Sequence, residues 1–258
     1  MTSPALSVSR GPIGIMGAMP EEIDALLAVL ERRAVRDRAG RTFHAGRLHG
    51  HEVVIVFSRW GKVASASTVT ELILEHDVGS VVFFGIAGGV NGVARGDVVV
   101  ATGLVQHDLD ASPFFPPLHV PMLGIAELPV DETMSKALAR GAERFVVERL
   151  RADAPTHLLE EAALGEPRVR RGVIASGDQV IFSSRSRDMV RARAPEALCV
   201  EMEGAAVAQV CHEHQVPFAC VRTISDVADD QGGEHVKPFL HGLAGVYTKG
   251  IVAAWLGA

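Results

Sequence analysis

Short apolar runs alternate along the chain with stretches whose apolar residues recur at helical spacing, and this alternation limits the possible folds. Runs typical of buried strands cover residues 12–16, 43–48, 52–58, 80–85, 97–106, 169–175, 198–201 and 218–224. Helical spacing covers residues 21–33, 63–76, 132–150, 152–163, 184–194, 204–214 and 237–256. The sequence therefore predicts an α/β protein with a single three-layer domain, in which helices flank a twisted mixed central sheet. We expect this domain over residues 12–258, after a short N-terminal extension at residues 1–11.

Length and composition agree with one well-cored domain and exclude several classes of partner. Of 258 residues, 48% are hydrophobic and 22% are charged. The net charge of −6 and the scattered basic residues argue against nucleic acid as a partner. The arginines of residues 185–193 are spaced like the solvent-facing side of a helix. No apolar run is long enough to cross a bilayer, so we expect no membrane partner and a cytoplasmic location.

Outside the strand ends, three cysteines and one polar loop are the candidates for thiol chemistry or metal binding. Cys199, Cys211 and Cys220 lie in apolar stretches, which predicts buried, reduced thiols. The proline-rich and aromatic residues 108–128 have no period, and a loop this long is usually functional or part of an interface. His107, Asp108 and Asp110 are residue types that bind metals, but a polar loop beside an interface is the preferred interpretation. We therefore expect no metal and no cofactor.

Polar residues and glycines gather where five predicted strands end. They occupy residues 17–22 (GAMPEE), 85–89 (GIAGG), 176–178 (SGD), 200–204 (VEMEG) and 222–226 (RTISD). Ligands of open α/β sheets bind beyond the carboxyl ends of strands, so these segments are the candidate site. Each segment alone also has a structural interpretation as a tight turn or a helix N-terminus capped by an acidic residue.

Acidic residues at separate strand ends, among them Glu22, Glu203 and Asp226, favour one shared, acid-rich site. Glu201 and Glu203 lie in a buried-looking segment, where carboxylates are costly without partners. Such a site disfavours phosphate and suits a ligand with hydroxyl groups and ring nitrogens. Carboxylates accept hydrogen bonds from sugar hydroxyls, activate water and donate protons to leaving groups.

Seven stretches in a fixed order carry the pattern of a known family. They are residues 13–23 (IGIMGAMPEEI), 60–66 (WGKVASA), 85–90 (GIAGGV), 96–101 (GDVVVA), 176–181 (SGDQVI), 200–211 (VEMEGAAVAQVC) and 216–229 (VPFACVRTISDVAD). The chain thus resembles the 5′-methylthioadenosine/S-adenosylhomocysteine nucleosidases of the purine nucleoside phosphorylase and uridine phosphorylase superfamily. The resemblance implies a nucleoside phosphorylase-like fold and hydrolysis of the N-glycosidic bond of 5′-methylthioadenosine, S-adenosylhomocysteine or a related adenine nucleoside, without a cofactor.

The resemblance also implies a role for each matching residue. Glu22 matches the glutamate that activates the attacking water, and Asp226 matches the aspartate that protonates adenine N7. Glu203 matches the residue that holds the ribose 2′- and 3′-hydroxyls. The other matches are Met202 beneath the sugar, Ser225 orienting the aspartate, Arg222 supporting the acidic cluster, Ile181 reading adenine through its backbone, and Ala87 and Gly88 lining the base pocket.

Some positions depart from the family pattern. Ile86 stands where many nucleosidases have a hydroxyl residue, and Val180 stands where they have an aromatic residue beside the adenine. Phe239 is a candidate for an aromatic residue at the site. These departures affect the expected base and 5′-group preferences and leave the hydrolytic residues intact. The resemblance further implies a homodimer, in which a loop near residues 107–121 helps to close the neighbouring site.

Three alternatives remain open from the sequence. A phosphate-dependent nucleoside phosphorylase on the same fold requires basic groups; Arg59 keeps this alternative open, although Glu21 and Glu22 would repel phosphate. A futalosine-type nucleosidase would use the same catalytic residues. A non-catalytic nucleoside-binding protein would be expected to lack Glu22 or Asp226, and both are present.

Overall fold

The strands and helices of the computed structural model alternate as the apolar pattern predicts. The model describes residues 11–162, 164–228, 236, 237 and 239–257, so residues 1–10 of the predicted extension lie outside the described residues. The strands are β1 (Ile13–Gly17), β2 (Glu31–Arg38), β3 (Arg41–Leu48), β4 (His51–Phe57), β5 (Ser80–Gly89), β6 (Val98–Gln106), β7 (Glu127–Pro129), β8 (Val169–Ser176), β9 (Ala197–Glu201) and β10 (Phe218–Asp226). The helices are α1 (Pro20–Leu27), α2 (Lys62–His76), α3 (Glu132–Arg144), α4 (Leu150–Asp153), α5 (Thr156–Glu161), α6 (Ser184–Arg193), α7 (Gly204–Glu213) and α8 (Gly245–Leu256). Two π-helical segments, Phe145–Arg149 and Leu240–Ala244, lead into α4 and α8.

All ten strands belong to one mixed sheet in the order β10-β6-β8-β9-β5-β1-β4-β3-β2, with β7 beside β6. Strand β5 is parallel to both β1 and β10, and its end pairs antiparallel with β9. Because β10 pairs with both β5 and β6, five strands close into a ring from which β1 to β4 extend. The predicted α/β class and the twisted mixed sheet are confirmed.

Helices cover both faces of this sheet because the apolar side chains of its strands alternate. In β5, Val82 and Phe84 join the core under α1, α3 and α8, whereas Val81 and Phe83 join the core under α2 and α7. The three cysteines are buried free thiols, as predicted. Among the described residues, none of the helices combines the length and the apolar character that crossing a bilayer requires.

The strands predicted at residues 43–48 and 52–58 form a hairpin that lies between β1 and the edge strand β2. Strands β3 and β4 pair antiparallel, and they are joined by His49 and Gly50 with φ values of 48° and 85°. Two consecutive positive φ angles define the turn whose twist matches that of the flanking strands.

The helix predicted for residues 21–33 is wrong in its second half. Helix α1 ends at Leu27, and Glu31–Arg38 forms β2, which pairs antiparallel with β3. Arg32 has a φ of 51°, which a right-handed helix does not accommodate. Since β2 is exposed along its whole length, it has no apolar alternation from which a strand is predicted, and pairing with β3 determines its conformation.

The helix predicted for residues 152–163 is shorter than expected, and residue 163 lies outside the described part of the chain. Helix α4 ends at Asp153, and Ala154 has an extended ψ of 133°. Pro155 follows, and a proline disfavours the helical conformation of the residue before it. A separate short helix, α5, therefore begins at Thr156.

Candidate active site

A cavity of about 550 Å³ lies where β1, β5, β9 and β10 end. Of the sequence-predicted site residues, all except Arg222 and the candidate Phe239 line it: Glu22, Ile86, Ala87, Gly88, Val180, Ile181, Met202, Glu203, Ser225 and Asp226. The antiparallel pairing of β9 with the end of β5 explains this convergence, because the chain beyond Val200 runs back alongside β5.

Glu22 is buried at the start of α1 and is held by backbone groups from two strand ends. Its Oε2 accepts hydrogen bonds from the N–H groups of Ala18 at 2.6 Å and Met19 at 3.0 Å, and its Oε1 accepts one from Ile86 at 3.0 Å. Burial raises the pKa of Glu22, and Arg222 with these three N–H groups opposes the rise. The result is a fixed carboxylate that accepts a proton more readily than an exposed one.

Two glycines make room for the Glu22 carboxylate. A Cβ atom on Gly85 would lie 2.8 Å from Oε1, and one on Gly17 would lie 3.2 Å from Oε2. A side chain at either position would push the carboxylate out of place. The glycines at the ends of β1 and β5 thus allow close approach, and residues 85–89 continue β5 instead of forming the tight turn that was the alternative interpretation.

Asp226 ends β10 and is 2% exposed. Its Oδ1 accepts a hydrogen bond from the Ala228 N–H at 2.7 Å, and its Oδ2 accepts one from the Ser225 hydroxyl at 2.8 Å. The Ser225 hydroxyl also lies 3.4 Å from the Ala87 carbonyl, so it has an acceptor on either side. Asp226 is therefore oriented from both of its oxygens while it lines the cavity.

Glu203 lies beyond β9 at the N-terminus of α7 and faces the same cavity. Its Oε1 accepts a hydrogen bond at 2.8 Å from the N–H of Gly61, which precedes α2. Burial and the neighbouring Glu201 raise the pKa of Glu203 well above its ordinary range. This carboxyl therefore holds a proton at a higher pH than a solvent-exposed glutamate does.

Glu201 and Arg222 form a buried ion pair behind the cavity. Arg222 Nη2 lies 2.7 Å from Glu201 Oε2, and both side chains are almost wholly buried. Glu201 also accepts hydrogen bonds from the N–H groups of Glu203 and Gly204 and from the Ser176 hydroxyl. The predicted support of the acidic cluster by Arg222 thus acts through Glu201, which belongs to the candidate segment 200–204 but had no predicted role.

The walls of the cavity include further residues to which the sequence assigned no role, some of them inside the candidate segments 17–22 and 200–204. They are Ala18, Met19, Glu21, Trp60, Gln179, Phe182, Val200, Glu201, Val236, Lys237, Leu240 and His241. The exposed residues among them, such as Trp60 and Phe182, give no periodic signal, and only the WGK and SGDQVI segments pointed towards Trp60 and Gln179. The expected aromatic contribution of Phe239 is wrong, because that ring is fully buried against Tyr247 in the core and does not line the cavity.

The polar loop that raised the question of a metal is instead tied into hydrogen bonds. Lys62 Nζ lies 2.7 Å from Asp108 Oδ1, and Asp108 Oδ2 accepts a hydrogen bond from the Asp178 N–H. The Asp178 side chain in turn accepts one from the Lys62 N–H, at 2.8 Å. Within the described residues, no group of three or more His, Cys, Asp or Glu side chains is arranged to hold a metal ion.

Arg59, the residue that kept a phosphate site open, does not line the cavity. Its Nη2 donates to the Gly40 carbonyl at 2.5 Å, on the β2–β3 turn. The guanidinium of Arg222, which is buried behind the cavity, is paired with Glu201. The cavity therefore has three carboxyl groups at its centre, and its basic residues Lys237 and His241 come from the segment before α8.

Comparison with known proteins agrees with this geometry. Residues 12–242 match the model of the phosphorylase superfamily, which defines the class of this protein. A 5′-methylthioadenosine/S-adenosylhomocysteine nucleosidase of Chromohalobacter salexigens is 36% identical over 230 residues, covering 88% of this chain and 89% of the relative. An aminodeoxyfutalosine nucleosidase of Helicobacter pylori is 36% identical over 240 residues, covering 92% and 95%.

Comparison with solved structures points to the same kind of nucleosidase. The adenine complex of a 5′-methylthioadenosine/S-adenosylhomocysteine nucleosidase from Colwellia psychrerythraea superposes with a TM-score of 0.84 at 30% identity, covering 96% of this chain and 95% of that one. The chain belongs to the 5′-methylthioadenosine/S-adenosylhomocysteine nucleosidase family, and it is an N-glycosyl hydrolase.

The raised pKa of Glu203 predicts how stability depends on pH. The folded protein binds the proton on Glu203 more tightly than the unfolded chain does. The stabilisation that this proton contributes is therefore complete below the ordinary pKa of 4.5, and it is lost as the pH rises through the pKa of the folded state. Glu203→Gln keeps an acceptor for the Gly61 N–H but never ionises. Its free energy of unfolding in urea should therefore rise relative to wild type between about pH 5 and about pH 9.

The exposed Glu196 offers a matched control for this measurement. Glu196→Gln should differ from wild type by the same amount at every pH. A Glu203→Gln difference that is equally independent of pH would contradict a raised pKa at this site.

Proposed function

We propose that the protein hydrolyses the N-glycosidic bond of 5′-methylthioadenosine, S-adenosylhomocysteine or a related adenine nucleoside, with Glu22, Glu203 and Asp226 in separate roles. The observation that carries the proposal is the convergence of these three carboxyl groups on one cavity, each with its own set of hydrogen-bond donors. The similar nucleosidases of Chromohalobacter salexigens and Helicobacter pylori, the second of which is futalosine-type, support the reaction class.

Asp226 is the proposed proton donor to adenine N7. Departure of an unprotonated purine leaves an anion, so a proton on N7 lets the base leave neutral as the C1′–N9 bond breaks. The Ser225 hydroxyl and the Ala228 N–H hold the carboxyl in a fixed orientation, which keeps its proton directed at one atom of the base. Such a positioned proton transfer accelerates a reaction by roughly 10²–10⁴-fold.

Glu22 is the proposed base for the attacking water. Its raised pKa makes it a better proton acceptor near neutral pH than an exposed carboxylate, and its three backbone donors prevent it from rotating. As the water oxygen bonds to C1′, its proton passes to Glu22. The negative charge of the site also stabilises the positive charge that develops on the ribose.

Glu203 and Met202 are proposed to hold the ribose. The Gly61 N–H occupies Oε1 of Glu203, and the carboxyl as a whole lines the cavity, where it can accept hydrogen bonds from the 2′- and 3′-hydroxyls. For the base, the backbone of Ile181 and the small residues Ala87 and Gly88 form the proposed pocket, with Val180 and Ile86 beside it.

Three carboxyl groups and the position of Arg59 favour water over phosphate as the second substrate. An anion entering between Glu22, Glu203 and Asp226 would be repelled by Glu22, which is ionised as the proposed base, and would have acidic side chains as its other neighbours in a poorly solvated site. A non-catalytic binding protein is disfavoured because both proton-transfer groups are present and oriented.

Substitution of the two proton-transfer residues tests this proposal. In phosphate-free buffer, the wild-type protein should release adenine from 5′-methylthioadenosine, and kcat should fall by roughly 10²–10⁴-fold in Glu22→Gln and in Asp226→Asn. Adenine release is followed by its separation from the nucleoside on a reversed-phase column. A panel with S-adenosylhomocysteine, futalosine and inosine identifies the preferred substrate.

Asp24 provides the control, because it is exposed on the same helix as Glu22. Asp24→Asn should keep the wild-type kcat. Release of base only when phosphate is added, or near-normal turnover by Asp226→Asn, would contradict the proposed chemistry.

We also propose that the protein is a cytoplasmic homodimer in which a loop near residues 107–121 covers the neighbouring cavity. Phe114 and Met122, in and beside this loop, are 86% and 91% exposed in the single chain. Val180 and Phe182 at the cavity rim are 49% and 41% exposed. Apolar side chains exposed beside a binding cavity are typical of a surface that a partner covers. The unpaired thiols are typical of a reducing compartment.

A charge placed in this loop tests the dimer. The wild-type mass measured by light scattering should be that of two chains, and the double variant Phe114→Asp/Met122→Asp should show one chain and lower kcat/KM. The equally exposed Val147, in the π-helical segment after α3, supplies the control Val147→Asp. A wild-type protein that is fully active as a single chain would contradict the proposed assembly.

A further inference from the structure

The arginines of α6 are partly exposed, as their spacing predicts, but three of the four also make contacts with the loops around the cavity. Arg187, Arg191 and Arg193 each donate to a backbone carbonyl in the loop after a different strand. These carbonyls belong to Val227 after β10, Val90 after β5 and His107 after β6. Only Arg185, among the four, is exposed without a described contact of this kind.

Arg187 contacts the peptide unit whose N–H group orients Asp226. Arg187 Nη1 donates to the Val227 carbonyl at 3.2 Å, and the side chain is 20% exposed. The Val227 carbonyl and the Ala228 N–H belong to the same peptide unit, which is planar. The Ala228 N–H is the donor to Asp226 Oδ1, so one rigid peptide links the arginine to the aspartate.

The backbone at this point needs such an anchor. Ala228 has a φ of 49°, in the left-handed region that residues with a Cβ seldom occupy. This conformation persists only when surrounding contacts determine it. Gly88 faces the same turn, because a Cβ atom there would lie 3.1 Å from the Ala228 Cβ and 3.2 Å from Asp226 Oδ1.

Helix α6 is itself fixed against the cavity wall. Ser183 caps its N-terminus and exchanges hydrogen bonds with Ser186. The three residues before this cap, Val180, Ile181 and Phe182, line the cavity. The segment that leads into α6 therefore forms one side of the proposed base pocket. On the other side of the pocket, Arg187 of α6 contacts the loop after β10.

We propose that Arg187 is a positioning residue for Asp226, which it orients through the Val227–Ala228 peptide, and that Arg191 fixes the neighbouring loop after β5 in the same way. This inference rests on the proposed role of Asp226 as the proton donor to the base. Arg191 Nε donates to the Val90 carbonyl at 2.9 Å, one residue beyond Gly89 at the end of β5. Both arginines act on backbone groups and touch no reacting atom.

The test separates protonation of the base from the rest of catalysis. Arg187→Met keeps an aliphatic stem and removes the donor. Its kcat for 5′-methylthioadenosine should fall about tenfold with little change in KM, because a displaced Asp226 weakens a transition-state interaction. With 4-nitrophenyl β-D-ribofuranoside, whose leaving group departs without a proton, the loss should be less than about twofold.

Two further variants keep the test decisive. Arg187→Lys retains a donor and should recover part of the lost kcat, and it replaces Arg187→Met if that protein does not fold. Arg185→Met, on the same helix, should match wild type with both substrates.

Equal losses on the two substrates, or a lower melting temperature with unchanged kcat, would overturn the positioning role of Arg187. A wild-type enzyme that releases no adenine from any nucleoside would instead overturn the proposed function. The two failures are therefore distinguishable.

Discussion

The buried ion pair between Glu201 and Arg222 connects the elements that build the cavity. It joins the end of β9 to β10, and the Arg222 guanidinium also donates to the Phe83 carbonyl of β5 and lies 4.3 Å from the centroid of the Phe83 ring. Glu201 accepts hydrogen bonds from the backbone N–H groups of Glu203 and Gly204, where the chain enters α7. These hydrogen bonds direct the Glu203 side chain towards the cavity. Removing one partner of such a pair typically lowers the free energy of unfolding by about 3–5 kcal/mol, because the other charge is left buried and unpaired.

Around this pair, three carboxyl groups of similar chemistry acquire different properties from different surroundings. Glu22 is held by three backbone N–H groups, Asp226 by one N–H and one hydroxyl, and Glu203 by one N–H beside the charge of Glu201. The first arrangement suits a base, the second a directed proton donor, and the third an acceptor for sugar hydroxyls. The proposed division of labour therefore follows from local hydrogen bonding and burial rather than from residue type.

Much of this arrangement could be predicted from the sequence, for a physical reason. Glu22, Glu203 and Asp226 follow strongly apolar runs, and the ends of such strands meet at one edge of a sheet. What could not be predicted depends on contacts between distant segments. Strand β2 is exposed and owes its conformation to pairing with β3, and the roles of Glu201 and Arg187 appear only when the loops after several strands are placed together.

The fate of the water oxygen tests the central claim most directly. The enzyme would act on 5′-methylthioadenosine in ¹⁸O-labelled water that also contains phosphate. Mass spectrometry of the sugar product should then show one labelled oxygen at C1 from the first turnovers onward. The label that enters by exchange of the free sugar with water is measured separately and subtracted. The second product should be adenine. A sugar 1-phosphate, or a sugar whose label arises only by that exchange, would contradict direct attack by a water molecule activated in the carboxyl-lined cavity.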